Sequence, residues 1–204
     1  MIKNILLAGL LVTTIMSHIE AKEEPTNGSD GFYIGTTLGF LNFGGDSLNV
    51  TTINTTKKNT ETTYKDVTGS PIILKIGYQH FNQNRLEIYV NYNKIDATGG
   101  SLDIDTYGVN YEWGFPSFTE GSSLTPYIML GGGRGKSDSS TLKKLDNTDV
   151  VELTTGLGVH YAFNQSIDAN IGYSHRTLVF DNQKTLNISD TSLNIIEAGV
   201  TYHF

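Results

Sequence analysis

Apolar and polar residues alternate along this chain in repeated segments of about ten residues, separated by polar stretches rich in turn-forming residues. The clearest segment sets Leu86, Ile88, Val90 and Tyr92 against Arg85, Glu87, Tyr89, Asn91 and Asn93. Because successive side chains of a strand point to opposite faces, such a segment predicts a strand with one apolar and one polar face. The eight segments are Gly31 to Asn42, Pro71 to His80, Arg85 to Asn93, about Asp103 to Trp113, Thr125 to Arg134, Val150 to Ala162, Ser166 to Arg176 and Thr191 to Phe204. The register of the fifth is open, because residues 127–130 are all apolar.

The intervals between these segments alternate in length. The long ones, read as loops, are Phe43 to Ser70, Lys94 to Leu102, Gly135 to Asp149 and Thr177 to Asp190, whereas Phe81 to Asn84 and Phe163 to Gln165 are short and Gly114 to Leu124 is intermediate. Short periplasmic turns and long external loops are typical of outer-membrane barrels, so both termini are expected in the periplasm. The first long interval is rich in threonine and asparagine and is expected to be mobile and exposed.

Alternation alone also describes a soluble eight-stranded barrel, such as a lipocalin, whose apolar face points inward. The charges on the second face decide between the two directions. They have both signs, and glycines separate them, so they can pair across a narrow lumen that side chains just fill. The predicted polar lumen network is Lys75, Arg85, Glu87, Glu112, Glu152, Asp168, Arg176 and Glu197. The pattern therefore predicts an all-β fold, an eight-stranded antiparallel up-and-down transmembrane β-barrel with its apolar face in lipid.

Aromatic residues recur near the strand ends of the apolar face: Tyr92, Tyr111, Trp113, Tyr161, Tyr173 and Tyr202. This placement favours an aromatic girdle at the membrane interface. The alternative is the general preference of strands for aromatic residues, which explains their number but explains their positions near the strand ends less well.

The N-terminus has the layout of a cleaved signal peptide. Lys3 precedes an apolar run from Ile5 to Met16, which is too short for the roughly 20 residues of a spanning helix. We expect a signal peptide over residues 1–21, a short periplasmic segment over residues 22–30 and the barrel over residues 31–204. A formal charge of -7 makes nucleic-acid binding unexpected, and without cysteine the exported chain must be stable without disulfides.

The sequence resembles the small outer-membrane β-barrels of the OmpA/OmpX type and the related outer membrane protein β-barrel domain. The resemblance rests on the last seven residues, Ala198 to Phe204, on Gly156-Leu157-Gly158, on Gly131-Gly132-Gly133 and on Gly172-Tyr173. In that family an aromatic C-terminus preceded by alternate apolar residues is read by the outer-membrane insertion machinery. The resemblance thus implies that Val200, Tyr202 and Phe204 form a C-terminal insertion signal. It also implies the bacterial outer membrane as the location and its lipid and lipopolysaccharide as partners.

Candidate chemistry in the sequence is weak. Ser174 and His175 are adjacent on a predicted strand and so point to opposite faces, and the His-x-Ser spacing expected of lipid A deacylases in the family is absent. His160 and His203 share the polar face, but two histidines without a third ligand do not define a metal site. Residues 131–135 lack the context and the ending of a phosphate loop. We expect no catalytic residue, metal or cofactor.

Three functions remain open from the sequence. The first is a structural and surface-interaction protein whose external loops contact an extracellular ligand, which their length and polarity favour. The second is a narrow porin-like channel, suggested by the charged lumen. The third, which the sequence favours least, is an enzyme that modifies lipid A. We predict the first.

Overall fold

The computed structural model describes residues 30–41, 48–54, 57–64, 68–80, 83–97, 100–116, 123–139, 141, 146–182 and 187–204. All regular elements among them are strands: β1 (Gly31–Phe40), β2 (Leu48–Asn54), β3 (Lys57–Tyr64), β4 (Thr68–Gly69), β5 (Ile72–Gln79), β6 (Arg85–Ala97), β7 (Gly100–Gly114), β8 (Leu124–Asp138), β9 (Thr148–Ala162), β10 (Ile167–Asn182) and β11 (Asn187–His203). Within this part of the chain, no helix is long and apolar enough to cross a membrane. The predicted signal peptide and its cleavage site lie outside the described residues.

Eight of the strands, β1 and β5 to β11, close into an antiparallel barrel. Each pairs with its neighbour in sequence, β1 pairs with both β5 and β11, and the β6–β7 pairing completes the circle. Successive register pairs connect Tyr89 on β6 with Glu152 on β9 in one direction around the barrel and with Ala162 on β9 in the other. The strands are therefore staggered by ten residues over one full turn of the barrel. With the usual strand spacings, this stagger tilts the strands by about 40° from the barrel axis. The predicted eight-stranded up-and-down barrel is confirmed.

The outside of the barrel carries an apolar band. On β6, for example, Leu86, Ile88 and Tyr92 are about half exposed, while the alternate residues face inward and are buried. At a tilt of about 40°, the band from Phe32 to Phe40 on β1 is roughly 20 Å high, and the longest band, on β9, roughly 25 Å. This height matches the apolar band of about 25 Å that outer-membrane barrels present to lipid. The open register of β8 is now fixed, with Tyr127 and Met129 inward and Ile128 and Leu130 toward lipid.

Three of the intervals read as loops continue the barrel strands, so this part of the prediction was wrong. Strand β6 continues to Ala97, and strand β7 already begins at Gly100. The strands of the next two long hairpins, β8–β9 and β10–β11, likewise extend beyond the predicted segments. Their alternation continues, but with the faces exchanged. Ile104 is fully buried inside while Asp103 and Asp105 are exposed outside. The exchange is visible in the sequence as Leu102-Asp103-Ile104-Asp105, but it is the reverse of the membrane segments, in which apolar residues face outward.

We call this outward extension of the barrel the sleeve. It consists of residues 94–97, 100–105, 136–138, 148–150, 175–182 and 187–195. Polar groups outside and apolar groups inside are the arrangement of a water-soluble sheet, so the sleeve lies beyond the lipid. On β10 it rises roughly 20 Å above Tyr173, by strand rise and tilt. Apart from the sleeve, β2 and β3 form a separate two-stranded hairpin within the first long interval, which had been expected to form a loop.

Candidate functional site in the barrel lumen

At the end of the lumen that carries the chain termini, Asp168 is the centre of a buried group. Arg85 Nη2 donates to its Oδ2 at 2.7 Å, and His203 Nε2 donates to the same oxygen. Arg85 also donates through Nε to Gln79 at 2.8 Å and lies 3.1 Å from Nδ1 of His160. His160 also lies 3.5 Å from Asp168 Oδ1 through Nδ1, and its Nε2 is 2.9 Å from the Glu112 carboxylate, so this ring connects Arg85 and Asp168 with Glu112.

The same group continues on β5 and β6 through Lys75. Its Nζ lies 2.8 Å from Glu87 and 4.0 Å from Glu112, and Tyr33 donates its hydroxyl to Glu87 at 2.9 Å. The guanidinium of Arg85 also lies over the ring of Tyr33, 5.3 Å from its centroid. All these side chains are at least nine-tenths buried. We call the whole group the lower cluster: Tyr33, Lys75, Gln79, Arg85, Glu87, Glu112, His160, Asp168 and His203.

A second buried group surrounds Arg176. Its Nη1 lies 3.1 Å from Glu152 and its Nη2 lies 2.7 Å from Glu197, so one guanidinium bridges two carboxylates. Glu152 also accepts from Tyr89, Thr106 and Thr154, whereas Glu197 accepts from Ser174 among the described residues. We call this set the middle cluster: Tyr89, Thr106, Glu152, Thr154, Ser174, Arg176 and Glu197.

Beyond the middle cluster, the lumen of the sleeve is filled by aliphatic side chains and one phenylalanine. This upper apolar cluster consists of Leu41, Ile95, Leu102, Ile104, Val150, Leu178, Phe180, Leu193 and Ile195, none more than 2% exposed. The described lumen is therefore occupied at three successive levels, by two ion-paired clusters and then by an apolar core.

All eight residues of the predicted polar lumen network face the lumen and are buried. The structure brings five of them together in the lower cluster and three in the middle cluster, where one continuous network was expected. Sequence reasoning missed Tyr33, Tyr89 and the serine and threonine donors, although their parity already placed them on the polar face. Sequence reasoning also missed the upper apolar cluster, because some of its residues lie in intervals read as loops and the others have the inward parity that was assigned to polar side chains.

Lumen glycines make room for the side chains of Tyr33, Tyr89 and Tyr127. A Cβ at Gly158 or Gly172 would lie 2.6 Å from the hydroxyl of Tyr127, closer than such atoms approach. Tyr89 is placed in the same way over Gly108 and Gly133. The glycine-rich strands thus accommodate large rings in a narrow barrel, which explains the Gly-x-Gly pattern of the sequence.

Ser174 and His175 point to opposite sides of β10. Ser174 donates to Glu197 inside the lumen, whereas His175 lies on the outer face and contacts Asn194 at 2.9 Å. They therefore cannot act together as nucleophile and base. Among the described residues, no three His, Cys, Asp or Glu side chains form a group that could hold a metal ion. The absence of a catalytic site or cofactor stays a prediction.

The aromatic side chains of the apolar face lie at two heights. Tyr111, Trp113, Tyr161 and Tyr202 surround the end with the chain termini, where edge-to-face pairs form, such as Tyr111 with Trp113 at 4.6 Å between centroids. Tyr92, Tyr107 and Tyr173 lie near the base of the sleeve. Phe204, 73% exposed, ends the outward row of Val200 and Tyr202, and its backbone N–H donates to Phe32. The role of this row in insertion stays a prediction.

Comparison with known families decides the class of this barrel. The model of the outer membrane protein beta-barrel domain matches residues 6–204. The chain belongs to this family. It is accordingly a protein of the bacterial outer membrane, and the outward direction of its apolar face follows from that location.

Solved structures share the fold at low sequence identity. Neisserial surface protein A (NspA) is 15% identical, with 88% of this chain and 100% of that chain covered and a TM-score of 0.56. Ail of Yersinia pestis, with the same identity and coverage, has a TM-score of 0.48. The N-terminal β-barrel domain of Pseudomonas aeruginosa OprF, 12% identical, covers 86% of this chain and 100% of that chain, with a TM-score of 0.44. No curated protein matches the sequence.

Proposed function

We propose that this outer-membrane barrel is a non-conducting surface protein, which holds its external loops above the membrane for contact with an extracellular ligand. The observation that carries the proposal is the exchange of faces at the sleeve. At the sleeve, the barrel continues beyond the lipid as a sheet with a polar outer face and its own apolar core, as in a water-soluble protein. Such an extension adds nothing to membrane anchoring, but it places loops roughly 20 Å beyond the lipid on the β10 side.

The filled lumen favours this function over a narrow pore. A conducting barrel needs a polar path that ions can enter and leave. Here the lumen cations Lys75, Arg85 and Arg176 are each paired with carboxylates, and side chains such as Ile104 and Phe180 close the external end. An ion that entered from the periplasm would have to break buried ion pairs and then cross an apolar core.

Planar bilayer recordings test the absence of conductance. The refolded protein should insert without producing discrete current steps at any polarity. A variant in which Ile104 and Leu178 are both replaced by serine, which puts hydroxyls into the upper apolar cluster, provides the comparison. Discrete steps from the unaltered protein would contradict the proposal.

Loop trimming tests the surface role. Leu41 and Gly69 hydrogen-bond to each other through both backbone N–H groups, at 2.9 and 3.2 Å, so their chain ends are adjacent. A tight turn can therefore replace residues 43–67 without stretching the barrel. Cells that display the trimmed protein should adhere less to plates coated with fibronectin, laminin or heparin than cells that display the full protein at equal surface amounts. Equal adhesion of both to every coating, at a level above that of cells without the protein, would contradict loop-mediated contact.

Modification of lipid A is the less supported alternative. Among the described residues, the adjacent pair Ser174 and His175 lies on opposite faces of β10, and Ser174 is buried inside the barrel away from lipid. We therefore expect the lipid A mass spectrum of expressing cells to match that of cells carrying an empty vector. A new lipid A species would favour the enzymatic function instead.

A further inference from the structure

We propose that Arg134, Tyr107 and Gly132 form a binding site for a phosphate-bearing lipid of the outer leaflet, on the outer face of the barrel at the base of the sleeve. The site rests on three features that coincide there. They are a guanidinium held over an aromatic ring, a gap in the lipid-facing surface directly below it, and the position of both at the external edge of the apolar band. It is independent of what the loops contact.

Arg134 and Tyr107 face each other across β7 and β8. Arg134 Nε donates to the hydroxyl oxygen of Tyr107 at 2.8 Å, and the guanidinium carbon lies 5.6 Å from the ring centroid. This contact uses one of the five guanidinium N–H groups and fixes the plane of the others. Because the Tyr107 hydroxyl accepts from Arg134, its own hydrogen remains available to a second acceptor. The pair thus offers an ordered fork and a hydroxyl donor, which suits the oxygens of a phosphate.

The gap below the guanidinium is made by Gly132. On the described strands, the other glycines whose faces the alternation fixes point into the lumen, whereas Gly132 lies on the lipid face, two residues below Arg134. A Cβ at this position would meet only the backbone oxygen of Glu152, at 3.3 Å, and otherwise open space. Val109 and Leu153 stand on either side, about half exposed. A glycine between two projecting side chains leaves a shallow apolar notch, which an acyl chain can occupy beneath its headgroup.

The surrounding charges set the height of the bound phosphate. Lys136, one step above Arg134 on the same face, is paired in register with Asp105 on β7 and Asp149 on β9. Carboxylates therefore offset Lys136 and repel an anion from the upper part of the sleeve. Arg134 has Tyr107 and Val151 as its register neighbours, so neither residue directly opposite it is a carboxylate. An anion is accordingly favoured at Arg134, at the level of a lipid headgroup.

The notch distinguishes a lipid phosphate from free phosphate. Arg134 is exposed, so a free phosphate there would have to compete with water for a single fork. A lipid adds the apolar contact of its chain with Val109 and Leu153, and it is already concentrated at this depth of the membrane. The phosphorylated glycolipid of the outer leaflet, lipid A, has this combination of phosphate and acyl chains.

Native mass spectrometry of the refolded protein in detergent, titrated with bisphosphorylated lipid A, tests the proposal. The protein should hold one lipid A more tightly than any later one. Arg134→Gln should weaken this first site about tenfold or more, the range for losing a charge-assisted fork, and Arg134→Lys should recover only part of the loss. Gly132→Leu, which fills the notch, should also weaken it. Heat-modifiable gel migration verifies that each variant is folded.

Lys94→Gln is the control for general surface charge, because Lys94 is an exposed cation at a similar height on β6 that faces Asp103 in register and has no paired ring or lipid-facing glycine. It should change the affinity less than twofold. Equal weakening by Lys94→Gln and Arg134→Gln would show general surface charge and overturn the proposal. Dephosphorylated lipid A bound as tightly as the bisphosphorylated form would overturn it as well. Displacement of the lipid by an equal concentration of inorganic phosphate would identify a free-phosphate site and refute the assignment to lipid.

Discussion

The bridging guanidinium of the middle cluster makes the sharpest prediction about stability. Arg176 forms ion pairs with both Glu152 and Glu197, at 3.1 and 2.7 Å, with all three side chains buried. Replacing it by methionine keeps most of the volume but leaves two buried carboxylates without a cation. Removing one partner of a buried ion pair typically costs about 3–5 kcal/mol. We expect Arg176→Met to lower the free energy of unfolding by at least about 3 kcal/mol, on that basis.

The two carboxylates should not share this cost equally. Glu152 keeps three hydroxyl donors after the change, from Tyr89, Thr106 and Thr154, whereas Glu197 keeps one among the described residues, Ser174. A carboxylate with more donors is better stabilised in the absence of a cation. Adding Glu197→Gln to Arg176→Met should therefore recover more stability than adding Glu152→Gln. The variant with all three changes carries no charge in this cluster and should come within about 1–2 kcal/mol of the unaltered protein, since neutral replacement of buried ion pairs is often tolerated.

Urea titration of the refolded barrel in detergent provides the measurement. The single tryptophan, Trp113, lies on the lipid face, so its emission should report the loss of the apolar environment, and heat-modifiable gel migration gives a second probe. Two results would refute the reasoning. One is an Arg176→Met variant as stable as the original, and the other is a glutamine change that lowers the stability of that variant further.

Three further predictions concern other parts of the barrel. Ile104→Ala should cost about 2–5 kcal/mol by opening a cavity in the sleeve, whereas the neighbouring change Asp103→Ala, on the outer face, should stay within about 0.5 kcal/mol; equal small effects in the same urea titration would mean that the sleeve has no core. Partial desolvation against the barrel wall, and then the nearby Asp103 and Asp138, raise the pKa of the exposed Asp105. Its charge therefore destabilises the fold above its pKa, and the penalty disappears as the pH falls below the ordinary aspartate range. Asp105→Asn should thus raise the unfolding midpoint at pH 7 but not at pH 3, and a gain that is the same at both pH values would exclude this cause. Deleting Phe204 should impair assembly in cells more than refolding in detergent, and an equal loss in both would remove its role as an insertion signal.

The amino-acid sequence alone determined the membrane part of this protein. Alternation with a period of two, charges of both signs on one face and tyrosines near the strand ends suffice for the eight strands, for the inward faces of all but the fifth, and for the direction of the apolar side. These features are local, because every strand has the same lipid on its outer face and the same narrow lumen on its inner face. For the same reason, residues such as Arg85 and Asp168 could be assigned to the lumen from parity alone, before any pairing was known.

Only the tertiary structure decided where the membrane barrel ends and which lumen groups meet. The sleeve keeps the alternation but exchanges its faces, so a rule that places apolar residues in lipid reads it as loops, and the upper apolar cluster remains hidden. The division between the lower and middle clusters depends on the stagger of ten residues around the barrel. The stagger sets the height of each residue relative to residues on distant strands, and no single strand encodes it. The same holds for Arg134 above Gly132 and beside Tyr107, which only the pairing of β7 with β8 brings together.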